Sequence, residues 1–299
     1  MQTDVEKLAV IREALSSLLD GMCRLNFERT PHYGPGSKAE AEQSDSKWSA
    51  EILNAWTIGN GLMESACEHI ALFVKAITEP VEAIACWTCI RSMLEPCALA
   101  AWLFDPDLDA SKRAGRVFAL RYDGFDQQVK FGRTAGYPQS VMEELTDKIV
   151  ALEQQALRLG FRPLRGDKKK RTGVGIVMPK TTPIIGQMLG LEPTYRLLSA
   201  VAHGHHWAIL RLSFCEVSES SNFTMPTGLK MTVLEKNLSI QAFVFLVTTA
   251  IEAFRKAAST QFRFVGAPTA DIESLVGETL DKLAQAYSFR RQDRQASFR

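Results

Sequence analysis

Apolar residues recur at three- and four-residue spacing along most of this chain, the period of a helix that buries one side. Leu8, Ile11, Leu15, Leu18 and Met22 set that rhythm first, so residues 4–28 read as a helix. A second helical region spans Lys47 to Glu79, with Gly59, Asn60 and Gly61 as the place where it is expected to break or kink. After Pro80, the stretch from Val81 to Phe104 carries only Glu82, Arg91 and Glu95 as formal charges and reads as the most buried helix. Asp105, Pro106 and Asp109 mark a turn and a helix start, and further helices follow at Asp109–Arg133, Pro138–Leu159, Leu229–Phe262 and Pro268–Phe289. Strand signals are confined to Ser213–Val217 and Thr232–Leu234, too short to override the helical pattern.

The pattern therefore predicts an all-α fold, a single domain over residues 1–299 built as a bundle of about seven or eight helices. Two buried rods, Val81–Phe104 and Leu229–Phe262, are expected at its centre. Turn-forming and polar residues predict a mobile loop near 30–46, a basic loop near 161–183 and a frayed basic tail at 289–299.

Composition narrows the class. With 46% apolar residues and a net charge of +1, the chain has material for a real core and is no acidic or basic tail protein. The longest uncharged apolar run, Ala242–Ile251, is too short to span a bilayer, and the first residues lack the basic start and apolar core of a signal peptide. A cytoplasmic location is expected, with the six cysteines reduced. Cys86 and Cys89 form a CxxC, but redox chemistry needs that motif at a helix N-terminus, and the periodicity puts it inside a helix. Zinc held by Cys67, His69, Cys86 and Cys89 is geometrically poor, because residues two apart on a helix point to different sides. Glu64 and Glu68 lack the Glu-x-x-His spacing of bundle di-metal sites, so neither metal nor cofactor is expected.

The candidate chemistry collects in Thr194–Leu212, TYRLLSAVAHGHHWAILRL, with three of the five histidines. Read as one helix, it places Arg196 and His203 within about 20° of each other, with Ser199 between them and Tyr195, His206 and Trp207 flanking. Lys and Glu, the usual residues of a solvated helix face, are missing from that side. Imidazoles that titrate near neutrality and a guanidinium that binds bidentately suit a ligand-facing wall better. A second polar stripe, Thr88, Arg91, Ser92 and Glu95, runs along the buried rod. Either Arg91 and Glu95 form a structural ion pair, or the stripe faces Arg196 and His203 across a pocket. Lys168, Lys169, Lys170 and Arg171 form a basic arm that is either a solvated loop or a grip for phosphates.

Arg196, six intervening residues and His203 resemble the Arg-x4-6-His motif of the HEPN superfamily, helical bundles that include metal-independent ribonucleases and RNA-binding proteins. The resemblance covers these positions and the helical character of the chain. It departs from the usual pattern at Leu197, where the residue after the arginine is often polar. Tyr195, Ser199, His203 and Gly204 are also similar to a Tyr-x3-Ser-x3-His-Gly segment of uncharacterised bacterial helical proteins. The first resemblance implies a composite site across a homodimer, with His203 as acid or base on RNA and Arg196 holding the phosphate. Two other readings stay open. One is a non-catalytic bundle whose pocket, lined by Arg91, Glu95, Arg196 and His203, takes a small anionic or aromatic ligand or a partner helix. The other treats the polar stripes as glue within an assembly surface.

Overall fold

The structure is a computed structural model that describes residues 4–24, 33–78, 81–166, 171–216 and 240–296, with the short pieces 222–225, 227, 230–232 and 234–236 between. Eleven helices appear among the described residues: α1 (Asp4–Arg24), α2 (Lys38–Ser44), α3 (Ser49–Ala76), α4 (Ala85–Leu103), α5 (Ala110–Ala135), α6 (Gln139–Arg158), α7 (Thr181–Leu189), α8 (Glu192–Ala202), α9 (His206–Ser213), α10 (Ile240–Val265) and α11 (Ala270–Ala296). The fold is all-α, as the periodicity predicts. The expected count of seven or eight is too low, because short helices sit where turn residues suggested loops.

Helix α2 lies inside the segment expected to be a mobile loop, and Ser37 caps it by accepting the Glu40 amide at 3.1 Å. Helix α7 starts within the expected basic loop, which also holds strands β1 (Pro163–Arg165) and β2 (Arg171–Val174), paired antiparallel. The described part of α11 runs to Ala296, through most of the tail expected to fray. Strands β3 (Phe214–Glu216) and β6 (Leu234–Lys236) pair around β4 (Asn222–Thr224) and β5 (Lys230–Thr232), so α10 begins at Ile240 rather than near Leu229.

Helix α4 is the centre of the molecule, packed against α3, α10, α8 and α7. It buries Cys86, Trp87, Ile90, Leu94, Cys97, Ala98 and Leu103 among others. Trp87 donates from Nε1 to Ser213 Oγ at 3.1 Å, and Ser213 donates to the Ala83 carbonyl at 3.1 Å, so the start of α4 is tied to the end of α9. Gly59 does not break α3. Its missing side chain makes room for the Phe104 ring at the end of α4, which a Cβ there would strike.

A second core lies around Trp48, Ile52, Phe104 and Phe264. It contains a buried ion pair, in which Arg113 donates to Glu42 Oε2 at 2.8 Å and to the Leu103 carbonyl at 2.6 Å, with its guanidinium 4.1 Å from the centre of the Phe264 ring. Asp109 caps α5 through the Lys112 amide at 2.7 Å, and Gly136 ends that helix at a φ of 69°. Among the described residues, no helix is long and apolar enough to cross a membrane.

Candidate functional site

Thr194–Leu212 is two helices, not one. Pro193 sits in the first turn of α8, where its missing N–H is no loss. At the other end the Gly204 amide donates to Val201 O at 2.9 Å and the His205 amide to Ala200 O at 2.8 Å. This pair of bonds closes a Schellman motif, with Gly204 at a φ of 74° in the left-handed region. A glycine that periodicity treats as a weak helix position is in fact the helix terminator, and α9 restarts two residues later.

The His203 amide still donates to Ser199 O at 2.9 Å, so its Cα continues the helical screw of α8. Arg196 and His203, seven apart, therefore share one side of that helix. This side is turned to solvent: Arg196 and every residue from Ala202 to Trp207 are exposed. Among the described residues, the Arg196 guanidinium is held by its own helix alone, with Nε and Nη2 at 2.9 and 2.8 Å from Glu192 Oε1. The His203 and His205 rings meet edge to face with centroids 6.4 Å apart, and Trp207, 57% exposed, follows His206 in the first turn of α9. His205 supplies no side-chain cap to α9; the Ala208 amide donates to the His205 carbonyl at 3.0 Å, and among the described residues the His206 and Trp207 amides ahead of it have no acceptor.

The inner side of α8 meets α4. Arg91 donates from Nε to Ser199 Oγ and from Nη2 to the Tyr195 hydroxyl, both at 3.0 Å, while that hydroxyl donates to Glu95 Oε1 at 2.8 Å. Arg91 Nη2 and Glu95 Oε1 close the ring at 2.9 Å. Burial raises the Tyr195 phenol above its usual value, and the bond to Glu95 and the charge of that carboxylate push the same way. Arg91, Glu95, Tyr195 and Ser199 thus come together, with their polar atoms turned on one another. Arg196 and His203 are not part of that cluster.

His206 opens α9 and is exposed. Lys168, Lys169 and Lys170 lie outside the described residues, and Arg171 begins β2. Residues that sequence reasoning passed over at this corner are His205 and Arg211, both exposed. The signal for His205 was in plain view in the run His203-Gly204-His205-His206.

The CxxC stands differently from the expectation. Helix α4 begins at Ala85, which puts Cys86 in its first turn, yet both thiols are buried. Cys86 donates to Ala83 O at 3.5 Å, and burial pushes the Cys89 thiol up, away from the thiolate that redox exchange needs. No group of three or more His, Cys, Asp or Glu among the described residues is arranged to hold a metal ion. No family model, no curated protein and no solved structure matches this chain.

Proposed function

We propose that this protein binds RNA through the exposed α8–α9 corner, with Arg196 and the uncapped start of α9 on phosphate and Trp207 stacking on a base. The observation that carries this reading is a run of three imidazoles and one indole held in solvent, with a guanidinium on the same side of α8. A large aromatic left in water is a stacking surface, and stacking on single-stranded bases is insensitive to their identity. The ion pair holding Arg196 is exposed, and pairs of that kind are worth about 0–1 kcal/mol, so a phosphate displaces Glu192 at little cost. In this reading His203 moves the proton of the ribose 2′-hydroxyl or of the leaving oxygen. Cleavage then requires a second copy to cover the open face, as the HEPN resemblance implies.

The pocket reading has less support. Arg91, Glu95, Tyr195 and Ser199 satisfy one another and act as a buttress that holds α8 against α4. The test is to incubate the protein with a fluorescent single-stranded oligoribonucleotide, measuring retention and cleavage for the parent, Arg196→Ala and His203→Ala. The parent retains the oligonucleotide, Arg196→Ala weakens retention by about tenfold, and His203→Ala keeps retention but removes cleavage. A parent protein that neither retains nor cuts RNA ends the proposal, and cleavage that persists in His203→Ala ends the role given to that histidine.

A further inference from the structure

Away from this corner, the two ends of α5 carry surfaces of opposite character. At the C-terminal end every residue from Lys130 to Ser140 except Gly132 is exposed, so the turn into α6 stands clear of the body. It holds two large rings in water. Phe131 is 62% exposed and Tyr137 44%, and the rings meet edge to face with centroids 5.7 Å apart. Gly132 permits this arrangement, because a Cβ there would lie 2.8 Å from Met142 Sδ and 3.1 Å from the Tyr137 ring. The charge of the tip is positive: no Asp or Glu occurs from Gln127 to Met142. Lys130 pairs with Asp126 at 2.7 Å, whereas the Arg133 guanidinium is exposed and has no partner among the described residues.

At the N-terminal end of α5, helix α2 and the α4–α5 turn border an open groove of about 520 Å³. Trp48 and Leu108 line it, with Asp45, Asp107 and Asp109 set against Lys38. Glu42 lies there too, but Arg113 neutralises it. Most of these groups are engaged. Asp45 accepts the Lys47 amide at 2.9 Å, Asp109 accepts the Lys112 amide at 2.7 Å, and Lys38 Nζ donates to the Pro106 carbonyl at 2.6 Å. The Asp107 carboxylate is exposed and has no partner among the described residues.

One molecule cannot bring these surfaces together, because α5 holds them apart. Its 26 residues span about 39 Å at 1.5 Å per residue. They nevertheless match in charge, an uncommitted guanidinium against an uncommitted carboxylate in an acidic groove. They also match in size: a cavity of roughly 150 Å³ takes one benzene ring, so the groove has room for both rings of the tip and the guanidinium beside them. We propose that the chain associates head to tail with a second copy, the Phe131 and Tyr137 tip of one molecule seated in the Trp48 and Leu108 groove of the next, with Arg133 on Asp107. The complement of each surface is on the same chain, and the contact is heterologous, so it repeats from copy to copy. The end of a helical hairpin covers less than the roughly 800 Å² per partner of a stable interface, which sets the Kd on the order of 100 μM.

The experiment is sedimentation velocity of the full chain over a concentration series that passes this Kd. The mass of the parent is expected to rise above that of the monomer with concentration, and to fall back when salt screens the contact. Arg133→Glu and Asp107→Arg each weaken association by at least about tenfold, because each sets like charges against one another. Mixed in equal amounts, the two variants associate again, since the tip of either meets an opposite charge in the groove of the other. Phe131→Gln leaves every charge in place and also loses association. Thermal melts separate lost contact from lost folding, and if a charge variant fails to fold, Phe131→Gln decides. A parent that stays monomeric throughout overturns the proposal, as does a folded Arg133→Glu, Asp107→Arg or Phe131→Gln chain that associates like the parent. A mixture of the folded charge variants that stays monomeric overturns it as well.

Discussion

The Tyr195 hydroxyl donates to Glu95 Oε1 at 2.8 Å, and through this contact α8, the helix that leads into the exposed histidines, is fastened to the buried helix α4. Tyr195 is itself buried, and Glu95 is paired with Arg91 one turn earlier. The bond fixes the rotation of α8 about its axis, which in turn decides that Arg196 and His203 look outward.

Tyr195→Phe keeps the ring and removes that bond together with the acceptor for Arg91 Nη2. It is expected to lower stability by about 1 kcal/mol, the usual net worth of one hydrogen bond, read as a shift of the urea midpoint without a change in slope. Arg91→Met is expected to be more damaging, because it strips Glu95 of its cation and Ser199 of its donor at once.

Alkaline pH tests the same contact. The Tyr195 phenol is raised above its ordinary value of 10.0, so the folded state favours the protonated form more than the unfolded chain does. That contribution to stability is fully present below pH 10 and is lost as pH rises through the raised value. Ultraviolet titration is expected to show one tyrosine fewer in the late phase in Tyr195→Phe, and the parent is expected to lose stability above pH 10 more steeply than the variant.

Arg113 and Glu42 form a pair of a different kind, because both side chains are buried. Removing one partner leaves a charge without compensation in apolar surroundings, which costs about 3–5 kcal/mol. Arg113→Met or Glu42→Gln is therefore expected to move the denaturation midpoint far, whereas breaking the exposed Lys148–Glu144 pair leaves it in place. Equal effects of the two changes would show that burial does not decide the outcome.

Gly204 has open space where a Cβ would stand, so its role is conformational alone. Alanine at a φ of 74° costs about 1 kcal/mol. Gly204→Ala is expected to lower the melting temperature modestly and to weaken RNA retention more than stability, because it disturbs the turn that presents His203 and His205.

Much of the architecture was legible because long amphipathic helices announce themselves. The stripes of α3, α5 and α6, the buried α4 and the Asp109 cap could all be read from spacing and residue type. The strand signals at Ser213–Val217 and Thr232–Leu234 fall on real strands and were wrongly set aside as too short, whereas β4 gave no signal, since three residues are too few to establish a period of two. Both polar stripes of the site were visible, but their pairing was not. Helical spacing places Tyr195 and Ser199 near Arg196 and His203, and only packing shows that the former pair meets Arg91 while the latter faces water.

The account rests on the α8–α9 corner as a surface for RNA, and the salt dependence of its affinity for a single-stranded oligoribonucleotide tests it most directly. The account predicts that log K falls linearly with log salt, that Arg196→Ala reduces the slope by about 0.7, and that Trp207→Ala loses about 1–3 kcal/mol of affinity with the slope retained. Affinity that does not change with salt, or that both substitutions leave intact, contradicts it.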